Sequence, residues 1–342
     1  MKILVTGSQG YIGTFLTQFL SDNGIEVLGT DIGYYKDCHL VPVKDLFKTK
    51  NIDVRSLQTE DITGFDAIVH LAALSNDPVG ELDEELTFDI NYKATIKLAE
   101  LAKKNGVKRL IFVSTQSIYG VSNTEEELDE YSSLKNPQTA YAKTKWLAEQ
   151  ELKTLEDNEF CITYIRPSTV FGWSPRLRTD IVFNNLILNG LKNGKIEVHS
   201  DGTPWRPIIH IRDLSRFILN VLCAPKEKIA GKAFNVGVLD GNYTVKQIAE
   251  SAQSCLPSKP EIIYNTEILI DPRSYKVSFE RAKEELGFVA EISLISGGEE
   301  LLFEINNISK DIDVLGRKTN RLSQLKYLIN QGILDKELRF AK

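Results

Sequence analysis

From its first residues the chain alternates short β-branched apolar runs with longer stretches in which apolar positions recur every three or four residues. The runs 3–6, 26–31, 52–56, 67–71, 109–114 and 161–166 predict strands, and the stretches 11–23, 86–105 and 139–155 predict helices between them. A parallel strand pair needs a crossover, so this alternation predicts a doubly wound α/β sheet covered on both faces. Beyond Pro167 the pattern loosens. Helical stretches near 180–193, 213–223 and 244–255 are separated by strand-like runs at 196–199, 207–211 and 261–264, which predicts a smaller C-terminal lobe. The expected division is 1–167, with crossovers returning from the second half, then 168–304 as the lobe and 305–342 as a helical arm. In the arm, apolar density falls and Leu322, Leu325, Leu328 and Ile329 give one last amphipathic pattern.

The 342 residues exceed the ~150 that one core normally organises, in keeping with a sheet plus a lobe. Forty-one Lys and Arg against 47 Asp and Glu leave a formal charge of −6, which lacks the basic footprint of nucleic-acid binding. The four cysteines are scattered, so neither a disulfide framework nor a CxxC site is expected. With three apolar residues before Thr6-Gly7 and no apolar run of 18, a soluble cytoplasmic protein is expected, without a membrane partner. Four histidines, at 39, 70, 199 and 210, form no helical pair, so no metal site is expected, and His210, between isoleucines, reads as a hydrogen-bonded core residue.

Gly7-Ser8-Gln9-Gly10-Tyr11-Ile12-Gly13 joins the first predicted strand to the first predicted helix. A sharp strand-to-helix turn needs positive φ, and a pyrophosphate reaches the N–H groups of a helix N-terminus only where no Cβ intervenes. Asp31 ends the second strand 18 residues after Gly13, where a carboxylate accepts from ribose hydroxyls and repels a 2′-phosphate. This pattern predicts dinucleotide binding, with NAD favoured over NADP. Asp61-Ile62, after the third predicted strand, is placed to reach the adenine, or else Asp61 caps the turn at Thr63-Gly64.

Tyr141 and Lys145 lie four apart in a helical pattern and share a face. An ammonium beside a phenol favours the phenolate and brings its pKa of about 10 toward the working range. Such a Tyr can take a proton from a substrate hydroxyl. The stretch Val113-Ser114-Thr115-Gln116-Ser117-Ile118-Tyr119-Gly120 follows the fifth strand, at the sheet edge where ligand sites form, so Thr115 is expected to meet the same oxygen as Tyr141. Ser114 and Thr115 alternatively serve the turn backbone.

Together with His70-Leu71-Ala72-Ala73, Asn91, Arg166-Pro167 and Asn235-Val236-Gly237, these elements resemble the extended short-chain dehydrogenase/reductases that act on nucleotide sugars, over about residues 1–290. The resemblance implies a Rossmann-like sheet binding NAD and a C-terminal lobe closing over a nucleotide-diphosphate sugar. It implies Thr115, Tyr141 and Lys145 as the catalytic triad, with Lys145 also on the nicotinamide ribose. Gly7, Gln9, Gly10, Tyr11, Ile12, Gly13, Asp31, Asp61, Ile62, Leu71, Ala72, Ala73, Asn91, Ser114, Arg166 and Ser168 complete the implied cofactor site. The substrate would meet Thr115, Gln116, Ser117, Asn184 or Asn185, Arg206 and Arg273. Arg206, just before an apolar strand, offers a planar fork suited to a diphosphate, and Arg273 in Asp271-Pro272-Arg273-Ser274-Tyr275 resembles a second such element. Phe171 and Trp173 either flank a substrate ring or pack. By the same resemblance, the helices 86–105 and 139–155 would form a four-helix homodimer interface.

The 4,6-dehydratases of that family carry Asp-Glu after the catalytic Thr, where this chain has Gln116-Ser117, and an amide cannot do the proton transfer of that elimination. The reading that remains is oxidoreduction at one carbon, C4 first, in a 4-epimerase acting through a transient 4-keto sugar. An NAD(P)H-dependent 4-keto reductase or C4 dehydrogenase is the alternative, and a catalytically silent NAD(H)-binding protein a third. Asp31, set against a 2′-phosphate, favours the epimerase over the reductase.

Overall fold

A computed structural model describes residues 1–42, 48–75, 77–122, 125–266, 273–308 and 311–341. Seven strands form the central sheet: β1 (Lys2–Thr6), β2 (Glu26–Asp31), β3 (Thr49–Asn51), β4 (Ala67–His70), β5 (Arg109–Val113), β6 (Cys161–Pro167) and, from the second half of the chain, a strand at Ala233–Val236. Every pairing among them is parallel. From one edge the order is Ala233–Val236, β6, β5, β4, β1, β2, β3, so the direction of winding reverses between β1 and β4. In open α/β sheets that reversal opens a crevice at the carboxyl ends of the strands. The inner strands are almost wholly buried, which requires helices on both faces and explains their near-continuous apolar runs.

The expected third strand is displaced. Pairing ends at Asn51, and residues 54–56 form a short 3₁₀ turn. Asp53 ends the strand: its carboxylate accepts from the Arg55 backbone N–H at 2.9 Å and pairs with the Arg55 guanidinium. The helix expected over 86–105 is interrupted too. Glu84–Phe88 and Ala94–Lys104 are α-helical, but Asp89–Lys93 is a π turn. Such single-turn insertions re-aim side chains and recur at functional sites.

In the second half, β7 (Thr169–Phe171), β9 (Trp205–His210) and β11 (Asn242–Thr244) form a three-stranded sheet, and β8 (Lys195–Val198) pairs with β12 (Glu261–Tyr264). The helices Val182–Asn193, Ile211–Cys223 and Val245–Cys255 pack here, and one apolar cluster runs from Ile3 and Leu16 through Phe171 and Phe183 to Leu301. His210 is fully buried and caps the helix after it, its Nδ1 accepting from Arg212 N. The arm lies on the body. Its helix Arg321–Asn330, capped by Asn320, buries Leu325 and Leu328, and Leu334 and Leu338 join the cluster of Tyr34, Val54 and Leu57. Among the described residues, no helix is long and apolar enough to cross a membrane.

Candidate active site

One cleft at the carboxyl ends of β1, β2, β4 and β5 gathers the glycine loop, the end of β2, the strand end Leu71–Ala73 and the helix that carries Tyr141 and Lys145. At its floor Gly7 has φ +73°, and a Cβ there would stand 2.8 Å from the Ala72 nitrogen. At Gly13 a Cβ would stand 2.0 Å from the Gly7 carbonyl. The loop therefore closes only with glycine at both positions, and it leaves the N-terminus of the helix Tyr11–Asp22 without a side-chain cap. Asp31 is fixed at the rim. Its Oδ2 accepts from Gln9 N at 3.0 Å and its Oδ1 from Gly33 N at 2.8 Å. Burial raises its pKa, and those two N–H donors oppose the rise.

The expected catalytic pair, Tyr141 and Lys145, sits on the helix Ala140–Leu155, whose N-cap Thr139 accepts from Ala142 N. Tyr141, Lys145, Thr115 and Ser117 all line the cleft. The Lys145 ammonium is 2% exposed, donates to the Val113 carbonyl at 2.8 Å and lies 4.6 Å from the centre of the Phe112 ring. Burial pulls its pKa down to about 7, with Glu149 partly opposing. Thr115 Oγ1 accepts from Ser117 N at 3.1 Å, so that hydroxyl keeps its proton to give to a ligand. Ser114 Oγ is buried in the cleft wall without a partner among the described residues, which marks a place for a ligand's polar atom. Beneath the cleft runs a buried chain. Thr6 Oγ1 meets His70 Nδ1 at 2.6 Å, His70 Nε2 meets Thr95 Oγ1 at 2.8 Å, and Thr95 donates to the Asn91 carbonyl. Burial, with Lys145 adding to it, drops His70 to about 3, so it stays neutral and hydrogen-bonded.

Arg206 and Arg273 meet in the same cleft. Arg206 donates to the Trp205 and Arg273 carbonyls, and Arg273 donates to Ser117 Oγ at 3.0 Å. Asp271 and Pro272 lie outside the described residues. Ser168 lines the cleft and donates to the Val236 carbonyl. The Tyr11 hydroxyl is turned away to the Gly172 carbonyl at 2.8 Å, which braces the lobe against the first helix.

Several expected residues lie elsewhere. Asp61 closes a capping box with Gln58 and pairs with Lys50, and Ile62 is core. The cleft takes Ile52, Asp53 and Val54 instead, because the strand ends at Asn51, five residues sooner than the apolar pattern suggested. Asn91 is fully buried and clamps Leu74, accepting from its N at 2.7 Å and donating to its carbonyl at 3.1 Å, so it shapes the wall from behind. Arg166 is paired with Glu149 and donates to Tyr119 inside the core. A buried guanidinium needs such a partner, which removes it from the cleft. Gln116 donates to the Arg166 carbonyl and faces the interior. Asn184 is spent on Gly172 N and the Arg178 carbonyl, and Asn185 on the Thr179 carbonyl. Gln9 holds Asp31 by its backbone without lining the cleft, and Phe171 and Trp173 are core. Among the lining residues not expected from the sequence are Arg178 and Asp180, paired at 2.9 Å, with Tyr35 and Arg321. Among the described residues, no group of three His, Cys, Asp or Glu is placed to hold a metal ion.

A model of the NAD dependent epimerase/dehydratase family matches residues 3–237. The chain belongs to that family. Among its curated family relatives are a UDP-glucuronate 4-epimerase of Thermodesulfobacterium geofontis, 28% identical over 86% of this chain and 93% of its own, and a UDP-glucose 4-epimerase of Bacillus subtilis, 27% identical over 86% and 94%. Among solved family structures, a UDP-glucuronic acid 4-epimerase from Bacillus cereus in complex with NAD superposes with a TM-score of 0.78, at 25% identity over 92% of this chain and 99% of that one.

Proposed function

We propose that this family member is an NAD-dependent 4-epimerase of a nucleoside-diphosphate hexose, with uridine the first base to test. The observation that carries the reading is that Thr115, Tyr141 and Lys145 line the same cleft as the glycine loop and Asp31. The residues present fit NAD: the uncapped helix N-terminus suits a diphosphate, Asp31 a ribose diol, and the partnerless Ser114 hydroxyl a further polar contact. NAD held there would supply the hydride acceptor, and in its reduced form the hydride donor, for the sugar carbon. Tyr141 takes the proton from the C4 hydroxyl as that carbon is oxidised and gives it back when it is reduced. Lys145, held by the Val113 carbonyl, supplies the positive charge that favours the phenolate. Thr115 donates to the same oxygen in both states. Arg206 and Arg273 hold the substrate diphosphate.

Asp31 supports NAD over a 2′-phosphorylated cofactor, and epimerisation needs no fresh reductant. The cytoplasm and surface polysaccharide or glycoconjugate synthesis follow as the setting of such an enzyme. The helices expected to pair two copies expose Lys93, Glu100, Lys143 and Lys153 beside Leu147, so a homodimer through them would have a largely charged rim, and light scattering reads its stoichiometry. The test of the function is to incubate the purified chain with UDP-glucose and UDP-glucuronate and resolve the products by chromatography. A C4 epimer formed without added cofactor supports the reading. Conversion only with added NADPH, or to a decarboxylated sugar, overturns it.

A further inference from the structure

The C-terminal arm is tied to three segments that wall the dinucleotide side of the cleft. Gln324 donates to the Tyr34 carbonyl at 3.0 Å, and the Tyr34 hydroxyl donates to the Leu338 carbonyl at 2.5 Å, so the segment after Asp31 is held both by the arm's helix and by the chain beyond it. On the wall formed by Ile52–Val54, Arg339 pairs with Asp53 at 3.3 Å and Arg55 donates to the Glu337 carbonyl at 3.0 Å. On the third side, Thr179 N donates to the Thr319 carbonyl at 2.9 Å. These contacts join the arm to three segments that are far apart in sequence, adding to the direct bonds from Arg176 to the Tyr35 and Lys36 carbonyls.

The arm also enters the cleft. Arg321 is 2% exposed yet lines it, its guanidinium stacked 4.5 Å from the centre of Tyr35 and donating to the Arg176 carbonyl at 2.7 Å. Burial, and then the neighbouring Arg178, lower its pKa, so its charge is held at a cost. Around it stand Arg176, Arg178, Asp180 and Asp31. Asp180 is spent on Arg178, Asp31 is spent on backbone N–H groups, and Arg176 donates to Thr14 and to the Tyr35 and Lys36 carbonyls. Three largely buried guanidinium groups against these two carboxylates leave a positive excess beside the glycine loop, and burying charge without full compensation is costly. An anionic ligand between Asp31 and the glycine loop removes it.

Resting on the dinucleotide reading above, we propose that residues 311–341 form a clasp of the cofactor site, with Arg321 a binding residue for the dinucleotide's phosphates and the Arg339–Asp53 and Tyr34–Leu338 contacts its latches. Undocking of the arm then limits cofactor exchange, which is the property a cofactor regenerated in each turnover requires.

The test uses the full chain loaded with NAD. Release is followed by mass spectrometry as bound NAD exchanges with excess isotopically labelled NAD, and amide hydrogen exchange of 321–338 is compared with and without NAD. The expected results are a release rate at least tenfold faster in Arg321→Gln, about threefold or more faster in Arg339→Ala, and arm amides slowed about tenfold or more by NAD in the wild type. Arg339 is part-exposed, so its variant is expected to fold even if Arg321→Gln does not. Arm exchange indifferent to NAD, with Arg339→Ala releasing within twofold of wild type, overturns the clasp while leaving the dinucleotide reading intact. A wild-type chain that binds no dinucleotide overturns both.

Discussion

Replacing Lys145 by Met should abolish turnover and, at the same time, stabilise the cofactor-free fold in a pH-dependent way. The ammonium is 2% exposed, with one carbonyl partner and an aromatic face, and burial lowers its pKa from the ordinary 10.5 to about 7. At about 1.36 kcal/mol per pH unit, that difference is a cost of about 5 kcal/mol below pH 7. The sign follows from proton counts. Between the two pKa values the unfolded chain binds the proton and the folded chain does not, so the penalty is complete below about 7 and fades as pH rises toward 10.5. Methionine matches the stem, loses the Val113 bond worth about 1–2 kcal/mol, and removes the penalty. The variant should therefore exceed the wild type by about 3 kcal/mol at pH 6, a rise of about 4 °C in Tm for a chain of this size, with most of the gap gone by pH 9. Thermal unfolding of both proteins at the two pH values reads it. A gap that is the same at pH 6 and pH 9, or a variant less stable at pH 6, would refute the argument that Lys145 is held against its own desolvation for chemistry.

Other outcomes follow from the same structure. Tyr141→Phe should lower turnover about 10²- to 10⁴-fold while the NAD released on denaturation stays unchanged in amount. Gly13→Ala places a methyl 2.0 Å from the Gly7 carbonyl and should abolish dinucleotide retention, read by the same extraction. Asn91→Ala strips the Leu74 N–H and carbonyl of buried partners and should cost about 3 kcal/mol by denaturant titration, with less NAD retained through purification. Arg166→Ala leaves Glu149 buried without its partner and should cost about 3–5 kcal/mol or prevent soluble expression.

Apolar periodicity carried the sheet because its strands are buried on both faces, and the glycine loop, Asp31 and the Tyr141/Lys145 pair were legible because each needs its residue type at one spacing. What escaped was decided by partners distant in sequence. Asp53 ends β3 by gripping Arg55, so the apolar run at 52–56 becomes cleft wall and a 3₁₀ turn, and Asp61 is left to cap a surface turn. Arg166 and Asn184 have the chemistry of ligand contacts, yet Glu149 and Gly172 claim them, and no local pattern reports a partner 17 or 12 residues away. The π turn that brings Asn91 to Leu74 leaves an ordinary helical pattern in the sequence. Arg321 lies in an arm whose amphipathic pattern predicts packing and says nothing of the cleft it enters.

The most direct test of 4-epimerisation with a retained cofactor is to run the reaction with the purified chain and a UDP-hexose in D₂O and examine the products by proton NMR. The account predicts that the C4 epimer accumulates with its C4 hydrogen undiluted by deuterium, since the hydride leaves and returns within one cleft. Deuterium at C5, a product that has lost water or carbon dioxide, or no epimer unless NADPH is supplied would contradict it.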